Sequence, residues 1–418
     1  MTHACRRLRR GAVTATAVGM LTVPVAGPAA FGAPVSVRTA ATAPRPPSPS
    51  ASPTGEVRTL TPAVTGQLDR TVRQVMREAN VPGVSVGLWT PDHGTYIRSF
   101  GVADKSSGRP MSPDLYTRIG SETKTFTVTA LLKLVDEGKV GLDDPIGRYV
   151  AGVPNGDRIT LRELAGMRSG LFNYTEDPRF FKAFTSDPRR SFTPQQLLAY
   201  AFRHPVLFPP GQKFSYCNTN LILLGLVIEK AGAKPVQDYI HDNVLAPAGL
   251  RRTLFPTDAA FPSPHAQGYT DQTATGKVED TAGWNPSWAW AAGAMISNLD
   301  DLRVWARTVA TGVLPDGTTL ISPATQKQRL TTLPTTIPGA GYGLGIFNVQ
   351  GWIGHNGSLP GYESLTIYLP AAQATLVVVL NTDINHNGAE PSTLFGEAIT
   401  KIVSPGHVFN LPAQPAAR

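Results

Sequence analysis

The run Thr375-Leu-Val-Val-Val-Leu380 constrains the fold most, because six consecutive apolar or β-branched residues need cover on both faces. A strand of that kind sits inside a sheet and requires strand neighbours. The candidates lie toward the two ends of the chain. Gly83–Leu88 and Tyr96–Val102 read as strands joined by the turn Pro91-Asp-His-Gly94, and Tyr342–Val349 and Leu365–Leu369 carry the same signal far downstream.

The sequence between them has a helical period. A first helix is expected over Pro62–Asn80, with Val64, Leu68, Val72, Val75 and Met76 on one face. A second runs from Ser121 to Glu137 through Phe126, Leu131, Leu134 and Val135, with Gly138 as its cap. Leu161–Met167, Asn220–Lys230, Val236–Leu245 and Leu299–Thr311 follow, and Phe395–Val403 closes the chain. The pattern predicts an α/β domain over 59–410, built from about 59–120 and 285–410, with an inserted all-helical part over about 121–284.

Upstream, a basic stretch to Arg10 and an apolar, small-residue stretch to Ala30 predict a secretory signal over residues 1–33, cleaved near 29–33. Thr14, Thr16, Thr22, Pro24 and Pro28 interrupt that stretch too often for a stable membrane insertion. Residues 34–58, rich in Ala, Pro and Ser, read as a disordered linker to a secreted domain. Half of the net charge of +8 comes from Arg6, Arg7, Arg9 and Arg10 in the leader, and no basic stripe with interleaved aromatics follows. Nucleic acid is therefore excluded as a partner. Cys217 is alone beyond the leader, which leaves no internal disulfide, and neither HExxH nor paired cysteines suggest a metal; no cofactor is expected. A monomer is the default assembly.

Three motifs carry the chemistry. Ser121-Glu-Thr-Lys124 sets a hydroxyl and an amine one helical turn apart, and no other lysine here has a serine three residues before it. At a helix start, unsatisfied N–H groups favour an oxyanion near Ser121, although Ser is equally a favoured cap. Desolvation would lower the Lys124 pKa and make it a proton acceptor. Tyr216-Cys-Asn218 adds a phenol, useful as a base only beside a cation, and an amide able to hold a substrate carbonyl and accept from the lysine. His355-Asn356-Gly357-Ser358 adds an imidazole and a glycine that admits a close backbone; the Ser358 and Ser121 N–H groups would form an oxyanion hole. Taken singly, each is more commonly a capping, packing or surface feature.

Together they resemble the penicillin-interacting serine enzymes, with Tyr216-Cys-Asn218 and His355-Asn-Gly357 in place of that group's second and third elements. The variant is similar to the class C β-lactamases, and closer to the secreted actinomycete D-alanyl-D-alanine carboxypeptidases. The likeness spans roughly residues 65–405 and includes Leu134-Val-Asp-Glu-Gly-Lys139, Arg168-Ser-Gly-Leu171, Trp288–Ser297 and Gly341-Tyr-Gly-Leu-Gly345. It implies an antiparallel sheet flanked by helices and a penicillin-binding serine hydrolase acting on peptidoglycan stem peptides. In that reading Ser121 is acylated, Lys124 and Tyr216 relay its proton, and His355 stands for the family lysine. Asn218 orients the acyl amide, Trp288 forms a cleft wall, and Asn356, Gly357 and Ser358 line the substrate strand.

Two positions depart from the carboxypeptidase pattern. Phe347 stands where those enzymes carry an arginine for the substrate's terminal carboxylate, and Trp290 is bulky at a cleft-lining position. Phe347 keeps open the alternatives of a β-lactamase, an esterase or a D-amino-acid amidase on small acyl substrates. A silent cell-wall-binding protein is disfavoured because the whole residue set is intact. An imidazole at 355 further predicts activity that titrates near neutrality.

Overall fold

The computed structural model describes residues 57–411; the leader and the linker as far as residue 56 lie outside them. Val57 is packed in the core and Arg58 N–H donates to the Val403 carbonyl at 2.8 Å.

Helix α1 (Pro62–Glu78) starts at Thr61, whose hydroxyl accepts from Val64 N–H, with Pro62 at a position where a missing N–H costs nothing. Strands β1 (Gly83–Thr90) and β2 (Gly94–Gly101) follow as a hairpin. The sheet resumes with β3 (Leu333–Pro334), β4 (Ala340–Tyr342), β5 (Phe347–Val349), β6 (Trp352–Leu359), β7 (Tyr362–Leu369) and β8 (Ala374–Leu380). Eight strands lie in the order β2-β1-β8-β7-β6-β5-β4-β3 with antiparallel neighbours. The β-branched run is β8, buried along its whole length and paired with β1 at Val86↔Val378. Strands from the two ends of the described residues thus pair inside one sheet, as its patterning requires.

Between β2 and β3 run the helices that carry the site, among them α2 (Thr123–Asp136), α3 (Asn218–Gly232) and α4 (Leu299–Thr311). Helix α2 is buried on every side from Thr123 to Leu132, which explains its weak amphipathic signal. Helix α5 (Pro391–Val403) closes the fold against β7, β8 and α1.

Several boundaries differ from expectation. The expected helix from Ser121 begins as a 3₁₀ turn, Gly120–Glu122, and becomes α-helical at Thr123. The expected strand Tyr342–Val349 is two short strands, because Gly345 takes φ +68° and Gly343 N–H bonds to the Ile346 carbonyl in a tight hairpin. The glycine-rich segment around His355 is a full strand, β6. The helices Pro178–Ser186, Pro194–Ala201 and Pro323–Leu330 have no counterpart in the sequence reading.

Candidate active site

Four elements converge on Ser121. Its own 3₁₀ turn leaves the hydroxyl part-exposed, while Lys124, one turn on, is fully buried. Lys124 Nζ lies 2.9 Å from Ser121 Oγ and donates to the Ala292 carbonyl at 2.7 Å. Tyr216, just ahead of α3, places its ring centroid 4.9 Å from the same Nζ. His355 on β6 faces Tyr216 at 6.1 Å between ring centroids. The Ser, Lys, Tyr and His positions singled out in the sequence are therefore neighbours.

The His355 tautomer follows from its partners. Nδ1 is 2.5 Å from the Asn356 carbonyl, which only accepts, so Nδ1 carries the proton. Nε2 accepts from the Tyr342 hydroxyl at 3.2 Å. Burial above all pushes His355 down to about 3, so the ring is neutral across the ordinary pH range. The expectation of a titration near neutrality is corrected by this burial.

Burial also sets the other two groups. It holds Lys124 well below the ordinary lysine value, and it raises Tyr216 above the ordinary phenol value, with the Ser121 hydroxyl pulling the other way. Both shifts favour a neutral amine and a protonated phenol at rest. A neutral Lys124 donates one N–H to Ala292 and keeps a lone pair for the Ser121 proton. It cannot at the same time lend Tyr216 the positive charge that would make a phenolate base.

Backbone contact brings β6 against the turn that carries Ser121. A Cβ on Gly120, which sits at φ +48°, would lie 2.6 Å from Ser358 N, and one on Gly357 would lie 2.0 Å from the Ile119 carbonyl oxygen. Only glycine at both positions lets β6 rest directly on the chain leading into Ser121, setting the Ser358 backbone beside the turn. The Ser364 hydroxyl secures that chain by donating to the Ile119 carbonyl at 3.1 Å.

The remaining expected residues are more varied. Asn218 opens α3; its N–H bonds to Asn173 Oδ1 at 3.1 Å and its amide to Thr175 Oγ1 at 3.4 Å, not to Lys124. Trp288 is part-exposed beside Phe184 and Phe180, at 5.1 and 5.9 Å between centroids, so it belongs to an aromatic wall. Trp290 lays its ring over Gly225 of α3 rather than narrowing the cleft. Phe347 is buried against Tyr342 and His355, at 4.6 and 5.0 Å between centroids. Asn356 donates its amide to Glu390.

Sequence reasoning missed Tyr342, the Ala292 carbonyl and Glu390. Tyr342 lies in the quoted Gly341–Gly345 segment, yet its contact with His355 exists only because that segment folds into a hairpin. The Ala292 carbonyl, being backbone, has no side-chain signal.

Comparison with known proteins agrees with this geometry. The family model for beta-lactamase matches residues 68–395. A D-stereospecific amidohydrolase from Streptomyces sp. is 32% identical with a TM-score of 0.68, covering 78% of this chain and 95% of that one. The D-amino acid amidase from Ochrobactrum anthropi SV3, complexed with L-phenylalanine amide, is 28% identical with a TM-score of 0.70, covering 81% and 96%. The D-aminopeptidase of Brucella anthropi is 29% identical over 71% of this chain and 55% of its own length. The chain spans less than two thirds of the length of the curated relatives it matches.

Proposed function

The chain is a serine hydrolase of the β-lactamase family, and from that premise we propose that it cleaves small D-amino-acid amides through an acyl-enzyme on Ser121. Phe347 carries the choice of substrate. An uncharged ring packed on His355 occupies the position where a carboxypeptidase would place an arginine, and an amide needs no such arginine. The likeness to the Streptomyces amidohydrolase and the Ochrobactrum amidase supports the same substrate class.

In this reading neutral Lys124 takes the Ser121 proton as Oγ attacks the amide carbon. The N–H groups of Ser121 and Ser358 hold the oxyanion. Tyr216, kept protonated, donates to the leaving nitrogen, so that ammonia or an amine departs. The Lys124 proton then restores the phenol, and water reverses the sequence to release the acid. Asn218 holds the acyl-side amide, Trp288 walls it, and neutral His355, fixed by Tyr342, packs the far side.

Ammonia release from D- and L-phenylalanine amide, with Ser121→Ala as control, tests the proposal. Hydrolysis of the D-amide that is lost in the control supports it. Faster D-alanine release from an acyl-D-Ala-D-Ala peptide would restore the carboxypeptidase reading, which the motif set favours. Export through residues 1–33 is part of the proposal and is checked by sequencing the N-terminus of the secreted protein for cleavage at 29–33.

A further inference from the structure

Trp290 holds a backbone conformation that its side chain does not favour. Its φ is +35°, and it is the bulkiest of the non-glycine residues with positive φ among the described residues. A large side chain at positive φ is strained and persists only where its surroundings over-determine it. Here the ring supplies that constraint, because it rests on Gly225 of α3. A Cβ on Gly225 would meet two of the ring atoms at 2.5 and 2.8 Å and the Ala291 methyl at 2.8 Å. Glycine at 225 is what leaves room for the fit.

The strained residue stands beside the nucleophile. Trp290 opens the short helix Trp290–Gly293, whose last carbonyls have no partner within it. Two of them turn onto α2 instead. The Ala291 carbonyl accepts from Thr127 Oγ1 and the Ala292 carbonyl from Lys124 Nζ, each at 2.7 Å. Lys124 and Thr127 are three residues apart on one face of α2, so the two consecutive carbonyls meet them together. Just beyond, Met295 N–H donates to Thr123 Oγ1 at 3.1 Å, and the Met295 carbonyl accepts from Ile119 N–H at 3.0 Å. The segment is thereby tied to the chain on both sides of Ser121.

We propose that Trp290 is a positioning residue for the lysine that activates Ser121. Seated on Gly225, its ring holds the left-handed backbone that aims the Ala292 carbonyl at Lys124, and Nζ thereby keeps its place 2.9 Å from Ser121 Oγ. This rests on the reading of Lys124 as the base. An amine that donates one N–H to a fixed carbonyl holds its lone pair in one direction. Relaxation of Trp290 to negative φ would swing both carbonyls off α2 and free the amine to turn from the hydroxyl, an error of the size that costs about 10²-fold in rate.

Phosphonylation of Ser121 by a 4-nitrophenyl alkylphosphonate ester tests this. The Oγ–P bond forms, nitrophenolate leaves, and the serine proton passes to Lys124. The reagent needs no particular acyl substrate, and a partly folded sample changes the amplitude of nitrophenolate release, not its rate constant. Trp290→Ala should react at least about tenfold more slowly than the full chain. Trp290→Gly, which takes positive φ without strain, should react at least about threefold faster than Trp290→Ala. A side chain that served packing alone would give the opposite order, since alanine keeps more of it. In a Lys124→Ala background, Trp290→Ala should alter the residual rate by less than about threefold, because an effect exerted through the lysine disappears with it. Trp290→Ala at the parental rate, Trp290→Gly no faster than Trp290→Ala, or an equal loss in both backgrounds overturns the inference. This pattern without D-phenylalanine amide hydrolysis would overturn the proposed acyl substrate and leave the role of Trp290 supported. No phosphonylation of the full chain overturns both.

Discussion

Lys124 Nζ donates to the Ala292 carbonyl at 2.7 Å, and that neutral backbone oxygen, not a carboxylate, is its partner besides Ser121. That contact offers a dipole but no counter-charge, so burial lowers the lysine well below its ordinary value and favours its proton-accepting form.

The neutral form makes Lys124 a base rather than a charge. Lys124→Ala should lower kcat/KM by about 10²- to 10⁴-fold, and Lys124→Arg should do no better, because a guanidinium stays protonated. The acylation rate in stopped flow is the relevant measurement. Arginine restoring activity to within about tenfold of the parent would show that charge, not basicity, is required. The sign of the pH dependence follows from the lowered value: activity is lost as pH falls through it and is retained above it.

His355 should contribute no titration between about pH 5 and 8, since burial has pushed it down to about 3. His355→Leu removes the acceptor for Tyr342 and is expected to lower kcat, yet the shape of the kcat/KM profile in that window should stay as in the parent. A limb near neutrality that disappears in the variant would overturn this assignment.

Gly357→Ala tests the backbone contact under the oxyanion site. The added methyl would sit 2.0 Å from the Ile119 carbonyl oxygen, so either β6 or the Ile119–Ser121 chain must move. A loss of about 10²-fold or more in kcat is expected, since a misplaced oxyanion donor costs that much. Equal kcat in parent and variant would show that the Ser358 N–H is not used.

What the sequence disclosed, and what it hid, divides along physical lines. The β8 run and the β1–β2 hairpin were legible because a strand buried on both faces or bounded by turn residues leaves a local pattern. Strand β6 was hidden because Gly354 and Gly357 erase the side-chain alternation, and the cause is remote: their missing Cβ atoms make room for the Thr366 and Ile119 carbonyls. Ser121, Lys124, Tyr216 and His355 were legible as motifs, since each carries its chemistry in its own side chain. Their charge states were not. The reading of His355 as a near-neutral switch failed because burial among Phe347, Tyr342 and Tyr216 is a property of the fold. Glu390 was invisible for a similar reason, as only the return of the chain to the N-terminus of α5 brings it to Asn356.

Glu122 gives a prediction about stability. It follows the Ser121 position directly, is 1% exposed, and has no hydrogen-bond partner for either carboxyl oxygen. Burial raises it to about 8, with the Ser364 and Thr366 hydroxyls offsetting only part of the effect. Below the ordinary carboxyl value of 4.5 the folded and unfolded chains both carry its proton, and stability is independent of its titration. Between there and about 8 the folded state keeps a proton that the unfolded state has released, so stability falls as pH rises. The accumulated penalty at pH 8 is on the order of 4 kcal/mol. Glu122→Gln removes it, and its amide gains the Thr366 hydroxyl, which has no partner of its own, as an acceptor. The melting temperature of Glu122→Gln should therefore exceed that of the parent by an amount that grows steadily from pH 5 to pH 8. A constant difference across that range would show that Glu122 does not hold its proton in the folded state.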